Sequence, residues 1–313
     1  MRIKLCGLIA CAAMLAAGVV SCQQHDDIPQ GVKYPILFDS PDTRATATIA
    51  DLKNNGFMVY AFVEGNAGST SFAKDVVYNA DNSVWAFESP EYWIPYTTYS
   101  FKAFYPATLT AGTLKVDNSS NALNFTISNF DVVNHQVDVM VASATAKVES
   151  GPVPTSGDVN GNRVNLEFKH LLACIDIKIK SAINGVTISK ITIQDAETNG
   201  TYSSATGVWK SSAYGNIEAN SNVKLEVGKD YVAVTHDGIL VIPASAEGKI
   251  LIIETQNGGT TKSYSVEFPD DNKWEKGKKY TYTVEIKQDN IVFNEPDVDE
   301  WDSENATGSV IIK

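Results

Sequence analysis

The chain has 313 residues, of which 43% are apolar and 10% aromatic, and its formal net charge is −12. This length allows one large domain or two ordinary ones, and the apolar content is enough for a buried core, which argues against global disorder. The acidic balance argues against a partner made of nucleic acid and against an anionic membrane face.

The first 22 residues have the composition of a targeting segment rather than of a folded domain. After a basic start, the apolar run Leu5–Val20 is too short to span a bilayer comfortably. It ends in Gly18-Val19-Val20-Ser21-Cys22, which resembles a bacterial lipobox, so we predict that Cys22 is lipidated and anchors the chain without spanning the membrane. A standard secretory signal is the alternative, but the polar tether that follows favours the lipobox.

An apolar stretch near the start of the mature chain is followed closely by a turn that a protease could reach. Ile36, Leu37 and Phe38 predict a strand, and the Pro-Asp-Thr-Arg turn after it ends at Arg44. Cleavage between Arg44 and Ala45 by a trypsin-like protease would release the strand. The vacated groove would then offer unpaired backbone groups to a strand of another chain. An ordinary first strand and an ordinary surface arginine are the alternative.

From residue 34 onward the sequence predicts strands at most apolar stretches and no convincing amphipathic helix. Gly56–Val63 is apolar on both faces, which predicts a central strand of a sandwich, and Gly65–Ser71 predicts a loop. In Thr98–Tyr105 the apolar residues alternate and therefore share one face. Val137–Val141 predicts a further strand.

Val164–Lys180 carries a long apolar alternation. The apolar face slips by one residue near Lys169–Leu171, which predicts a bulge or bend where a long strand crosses from one sheet to another. The turn-rich residues Glu149–Asn162 before it form either a linker or a surface loop.

The C-terminal half repeats this pattern without intervening helices. Its predicted strands are Val186–Ile193, Gly207–Lys210, Val223–Val227, Tyr231–Thr235, Ile239–Ile242, Ile250–Glu254, Tyr264–Phe268 and Tyr280–Ile286. The even spacing predicts an all-β fold of two tandem antiparallel β-sandwich domains.

A balanced strand count places the boundary between the two sandwiches near Ser181–Gly185. We therefore predict a signal peptide (1–22), a tether with a removable strand (23–44), an N-terminal sandwich (45–184) and a C-terminal sandwich (185–313). The boundary moves earlier if Glu149–Asn162 is the linker.

The chain ends in an apolar, β-prone segment that contains Val310, Ile311 and Ile312. A terminal strand of this kind must be paired, because an unpaired one promotes aggregation. It either pairs within its own domain or is donated to a neighbour.

The sequence offers no constellation of catalytic or metal-binding residues. It has no GxSxG, Walker or GxGxxG motif, and Cys174 is the only cysteine after Cys22, which excludes an internal disulfide in the folded body. Asp158–Asn162 resembles the start of a calcium loop, but the twelfth position is Lys169 rather than glutamate. We therefore predict that the protein is not an enzyme and holds no cofactor or metal.

Tyr92, Trp93 and Tyr96 lie in an irregular, proline-containing segment. They are candidates for stacking on a glycan or a host protein, although aromatic residues of β-proteins more often pack in the core.

Several segments, in this order along the chain, resemble the Bacteroidetes fimbrillin-like family of type V pilin and Mfa-like lipoproteins. They are Phe101–Pro106, Val137–Ala142, Leu166–Ala173, Gly277–Val284 and the closing Trp301. The resemblance implies two transthyretin-like β-sandwich domains and lipoprotein export through the periplasm to the outer membrane or a surface pilus.

In the polymerising members of that family, an Arg-specific protease removes the N-terminal segment and a neighbour's strand fills the groove. The resemblance thus implies cleavage at Arg44, departure of Tyr34–Ser40 and donation of Gly308–Lys313. The expected partners are other pilin subunits, the protease and the outer membrane, in which the lipid on Cys22 anchors the chain. Other members are uncleaved, so the alternative is a monomeric surface lipoprotein that binds glycan or host protein.

Overall fold

Strands make up almost all of the regular structure. The computed structural model describes residues 34–39, 49–65, 68–81, 83–117, 123–148, 163–270, 272–288, 290–301 and 308–312. Cys22, Arg44 and Ala45 lie outside these ranges. No helix among the described residues is long and apolar enough to cross a bilayer.

The elements of the first half of the chain include one short helix. They are β1 (Leu37–Phe38), α1 (Ile49–Asn55), β2 (Phe57–Gly65), β3 (Gly68–Asn79), β4 (Val84–Phe87), β5 (Thr97–Tyr105), β6 (Thr113–Val116), β7 (Phe125–Asp131), β8 (Met140–Val148), β9 (Arg163–Val164) and β10 (Lys169–His170).

The described elements of the second half are all strands. They are β11 (Ala173–Ser181), β12 (Thr187–Ser203), β13 (Val208–Lys224), β14 (Val232–Ala233), β15 (Ile239–Val241), β16 (Ala244–Ser245), β17 (Ile250–Asn257), β18 (Thr260–Glu267), β19 (Lys273–Trp274), β20 (Lys278–Ile286), β21 (Ile291–Phe293), β22 (Asp297–Glu300) and β23 (Gly308–Ile312).

A nine-stranded sheet holds most of the first half of the chain. Its order is β10-β8-β5-β2-β3-β4-β1-β9, with β23 also paired to β8. The predicted central strand is confirmed, because β2 lies between β3 and β5. The predicted alternation in β5 is also confirmed, since Tyr99, Phe101, Ala103 and Tyr105 are all buried.

Two six-stranded sheets hold most of the second half. In one, β11 pairs with β20 in parallel. In the other, β12 pairs with β13 along one edge. Along its opposite edge, the first part of β12 pairs with β17 and the last part pairs with β7. Strands β6 and β7 therefore join a sheet made otherwise of later residues.

Two clusters of buried apolar side chains form separate cores. The first core draws its buried residues from positions 36–168 and contains Phe38, Phe57 and Phe101. The second core draws on positions 104–301 and contains Trp274 and Tyr282. Between Phe168 and Leu171 the chain leaves the first core for the last time. The domain boundary at residues 184 and 185 stays a prediction.

The all-β fold with mostly antiparallel sheets is confirmed, although three strand pairs are parallel, and four local predictions are corrected. Helix α1 was not expected, because a helix of about two turns carries too little apolar periodicity to be recognised. Strand β3 already begins within the predicted loop Gly65–Ser71, and the strand expected at Val137–Val141 begins only at Met140. Val164–Lys180 does cross between sheets, but as β9, β10 and β11 rather than as one strand.

The second core should make the protein sensitive to alkaline pH. Burial raises the pKa of the Cys174 thiol from its ordinary value of 9.0 to about 12, and burial likewise raises that of Tyr282 from 10.0 to about 12. Both groups stay protonated in the folded state to higher pH than in the unfolded chain. Their stabilising contribution is complete below pH 9 and is lost as the pH rises toward 12.

We expect the free energy of unfolding, measured by urea titration at pH 8 to 11.5, to fall by a few kcal/mol over this interval. The variant Cys174→Ala, compared with itself at pH 8, should show a smaller fall. An equal fall in both proteins would contradict the role given to the thiol.

Candidate functional site

The segment 34–39, which contains the predicted departing strand, is held along both of its edges. β1 pairs antiparallel with β4 and parallel with β9. Beyond the strand itself, Ile36 N donates to Glu91 O at 2.8 Å, and Asp39 N donates to Val164 O at 3.0 Å. The segment therefore fills a slot between two other strands rather than lying on the surface.

Phe38 is the centre of the first core. Its side chain is 0% exposed, and its ring meets those of Phe57, Phe87 and Phe101 edge-on, with centroids 5.2–6.2 Å apart. Ile36 is also buried, whereas Leu37 is half-buried. Removing the segment would expose these three rings at the bottom of an apolar groove and leave the edges of β4 and β9 unpaired.

The variant Phe38→Ala should lose about 3 to 5 kcal/mol of unfolding free energy. Removing the ring leaves a cavity in the first core, and the paired strands around it cannot move together far enough to fill it. Leu37→Ala, the matched control in the same strand, should lose only about 1 kcal/mol. Urea denaturation of the uncleaved chain measures both values. Equal small losses would show that the segment is not part of the core.

The C-terminal strand β23, which contains Val310, Ile311 and Ile312, is paired within its own chain. It runs parallel to β8, from Gly308 opposite Ala144 to Ile312 opposite Val148. It also lies beside β9, which is the neighbour of β1. β23 therefore occupies an edge close to the β1 slot, and its donation to another subunit, which stays a prediction, requires it to leave β8.

A buried polar cluster holds Trp301, the residue just before residues 302–313, which we call the terminal arm. The indole of Trp301 lies flat on the His170 ring, with centroids 3.9 Å and planes 3° apart. His170 Nδ1 is 3.0 Å from Asp138 Oδ1, and all three residues are buried. Trp301 N also donates to Gly277 O at 2.7 Å.

The terminal arm therefore starts beside His170, which lies between Phe168 of the first core and Leu171 of the second. The sequence analysis did not predict the pairing of His170 with Asp138. An aspartate between two valines, Val137 and Val139, was the available signal for a buried charge.

The aromatic segment is only partly exposed. Tyr92 and Tyr96 are 39% and 59% exposed, and Ile94 between them is 43% exposed. A ligand-facing role for the two tyrosines stays a prediction. Trp93 does not face solvent, which corrects that part of the prediction. It is 5% exposed, because its ring packs against that of Tyr99 with centroids 4.9 Å apart.

The described residues contain no group of three or more His, Cys, Asp or Glu side chains placed to hold a metal ion. A cavity of about 500 Å³ is lined by Asp51, Asn55, Tyr105, Asp138 and Asp237, among others. Cys174 is buried, and burial keeps its pKa high, so its thiol is not an activated nucleophile.

The sequence model of the fimbrillin-like family matches residues 43–301, which is most of the chain. The protein belongs to the fimbrillin-like family. No curated protein matches the sequence of this fimbrillin-like chain. The family assignment expected from the sequence resemblance is confirmed.

Among the solved structures that this chain is similar to, one with a TM-score above 0.5 shows the same fold. A candidate cell adhesion protein from Bacteroides ovatus shares 17% identity with the fimbrillin-like chain, with a TM-score of 0.53, and the match covers 88% of this chain and 100% of that one. A similar protein from Bacteroides uniformis has 19% identity, a TM-score of 0.49 and the same coverages. The tip fimbrial protein Mfa3 from Porphyromonas gingivalis has 12% identity and a TM-score of 0.38, with 86% and 100% covered.

Proposed function

We propose that this fimbrillin-like protein is a structural or adhesive subunit of a surface pilus. In this proposal it is exported as a lipoprotein through Cys22, matured by cleavage after Arg44, and polymerised by strand donation. The observation that carries the proposal is the placement of segment 34–39, which is paired along both edges and buries the side chains of Ile36 and Phe38. The proposed cut lies five residues beyond its end in the sequence.

Cleavage after Arg44 leaves the departing segment without a covalent link to the sandwich. A strand of about six residues from a neighbour, containing Val310, Ile311 and Ile312, then takes its place. Each ladder hydrogen bond adds about 0.5 to 1.5 kcal/mol, and apolar side chains buried over the Phe57, Phe87 and Phe101 rings add more. The exchange therefore favours a long-lived filament contact.

The partners that follow from this proposal are other pilin subunits, a trypsin-like Arg-specific protease and the outer membrane. The lipid on Cys22 holds the precursor at the membrane, and the mature subunit resides in a surface pilus. No enzymatic activity and no cofactor are proposed.

Mass spectrometry of the N-terminus of the surface form tests the maturation step directly. In cells with trypsin-like activity, the mature chain should begin at Ala45. In cells that lack this activity, it should begin at acylated Cys22. A chain that begins at Cys22 in both cells would refute maturation at Arg44.

A second candidate function is supported by two observations. β23 is paired within its own chain, and Tyr92 and Tyr96 are exposed on one segment. These favour an uncleaved, monomeric surface lipoprotein that binds glycan or host protein. That protein would keep residues 23–44 at the surface, so the same measurement separates the two functions.

A further inference from the structure

The long strand β13 has one edge that no other strand of the described chain covers. It spans 17 residues, Val208–Lys224, and pairs only with β12. A long edge is usually protected by charges, proline or a bulge. β13 has three charged residues, Lys210, Glu218 and Lys224, and no proline. Its ladder with β12 has register shifts on both sides of Tyr214, but the even-numbered residues of β13 stay exposed through them.

The side chains of β13 divide clearly between its two faces. All even-numbered residues from 208 to 224 are exposed, whereas Ile217 is buried and most other odd-numbered residues are partly covered. Tyr214 is 67% exposed at the middle of this polar face. Trp209 anchors the opposite face, since its Nε1 donates to Leu171 O at 2.7 Å.

The charges on the exposed face are symmetric about Tyr214. Lys210 and Glu218 lie four residues before and after it. In an antiparallel pair of two β13 strands centred on Tyr214, Lys210 of each copy lies opposite Glu218 of the other. Opposed residues of an antiparallel pair point to the same face, so both ion pairs form on the solvent side.

We infer that β13 is a dimerisation edge that pairs antiparallel with β13 of a second copy, about a two-fold axis at Tyr214. This register joins thirteen residues, since 208–220 of one copy oppose 220–208 of the other. A register centred on residue 221 would pair Glu218 with Lys224 but would join only residues 218–224. A register centred on residue 217 would place Lys210 opposite Lys224.

The contact ends at a dimer, because each copy uses the free edge of its β13 and the same surface serves both partners. No β13 edge is then left for a third copy. It does not depend on cleavage at Arg44 or on donation of β23. Glu218 Oε1 lies 3.3 Å from Lys190 Nζ within its own chain, but the Glu218 side chain remains 52% exposed and so accessible to a second cation.

Sedimentation velocity of the purified full chain over a range of concentrations tests the inference. The parent chain should form dimers. Lys210→Glu and Glu218→Lys should each weaken association by roughly tenfold or more, because each change places like charges opposite one another twice per dimer. The double variant Lys210→Glu/Glu218→Lys should restore association, although it also lacks the Lys190 contact.

Lys224→Glu is the matched control, since it lies on the same face of β13 but outside the paired thirteen residues. It should leave association unchanged, as should deletion of Val310–Lys313, which removes the donor strand. Circular dichroism of each variant checks that it is folded. A monomer at all concentrations, a dimer indifferent to the single charge reversals, or a double variant that fails to recover would overturn the inference.

Discussion

Replacing Arg44 by alanine is expected to stop filament formation while leaving a folded, lipid-anchored protein on the cell. The segment 34–39 remains joined to the sandwich, and its burial with Phe38 at 0% exposure makes spontaneous release unfavourable. A donor strand would have to displace a tethered segment, so the slot stays filled. Electron microscopy of cells that carry the variant, which should show no filaments, measures this outcome.

Arginine 163 provides a matched control, because Arg44 and Arg163 are the only arginines after the signal segment. Arg163 lies in β9, opposite Leu37, and its side chain is half-buried. Arg163→Lys should therefore leave filaments unchanged. Arg44→Lys should block an Arg-specific protease but be rescued by added trypsin, which also cuts after lysine. Normal filaments from Arg44→Ala would contradict the proposal that cleavage after Arg44 is needed for assembly.

Deleting Val310–Lys313 is expected to give a folded subunit that cannot extend a filament. β8 keeps its antiparallel ladder with β5, and segment 34–39 keeps its own partners, so the loss of β23 removes only an added edge strand. The truncated chain should show a thermal unfolding midpoint close to that of the parent. When mixed with matured parent subunits it should shorten filaments, because it can accept a strand but has none to give.

A variant with Lys313 alone removed is the control for this deletion, since β23 ends at Ile312. It should assemble normally. Full-length filaments built by the longer deletion would show that another segment is the donor.

The parts of the fold that sequence predicted are those where burial alternates along one strand. β5 and β20 bury every second residue against a core, and this period is visible in the sequence. β2 was predicted differently, from an apolar run bounded by Gly56 and Gly65. The slip near residues 169–171 was also readable, because Phe168 belongs to one core and Leu171 to the other.

The parts that sequence could not predict depend on partners distant in the chain. Only short pieces of β12 and β13 were expected, because their Asn, Ser, Thr and Gly residues carry no apolar period, and these strands persist through backbone pairing with each other. The pairing of β7 with β12 joins residues far apart in sequence and leaves no local pattern. The same holds for the His170 and Asp138 pair and for the burial of Trp93.

The fixed position of Trp301 sets a reach for the terminal arm. Seven steps along the chain separate Trp301 from Gly308, the first residue of β23. An extended chain covers at most about 3.6 Å per residue, so this tether spans no more than roughly 25 Å. In the proposed strand donation, with the indole still stacked on His170, the accepting subunit would have to present its groove within that radius, which would limit the axial repeat of the filament.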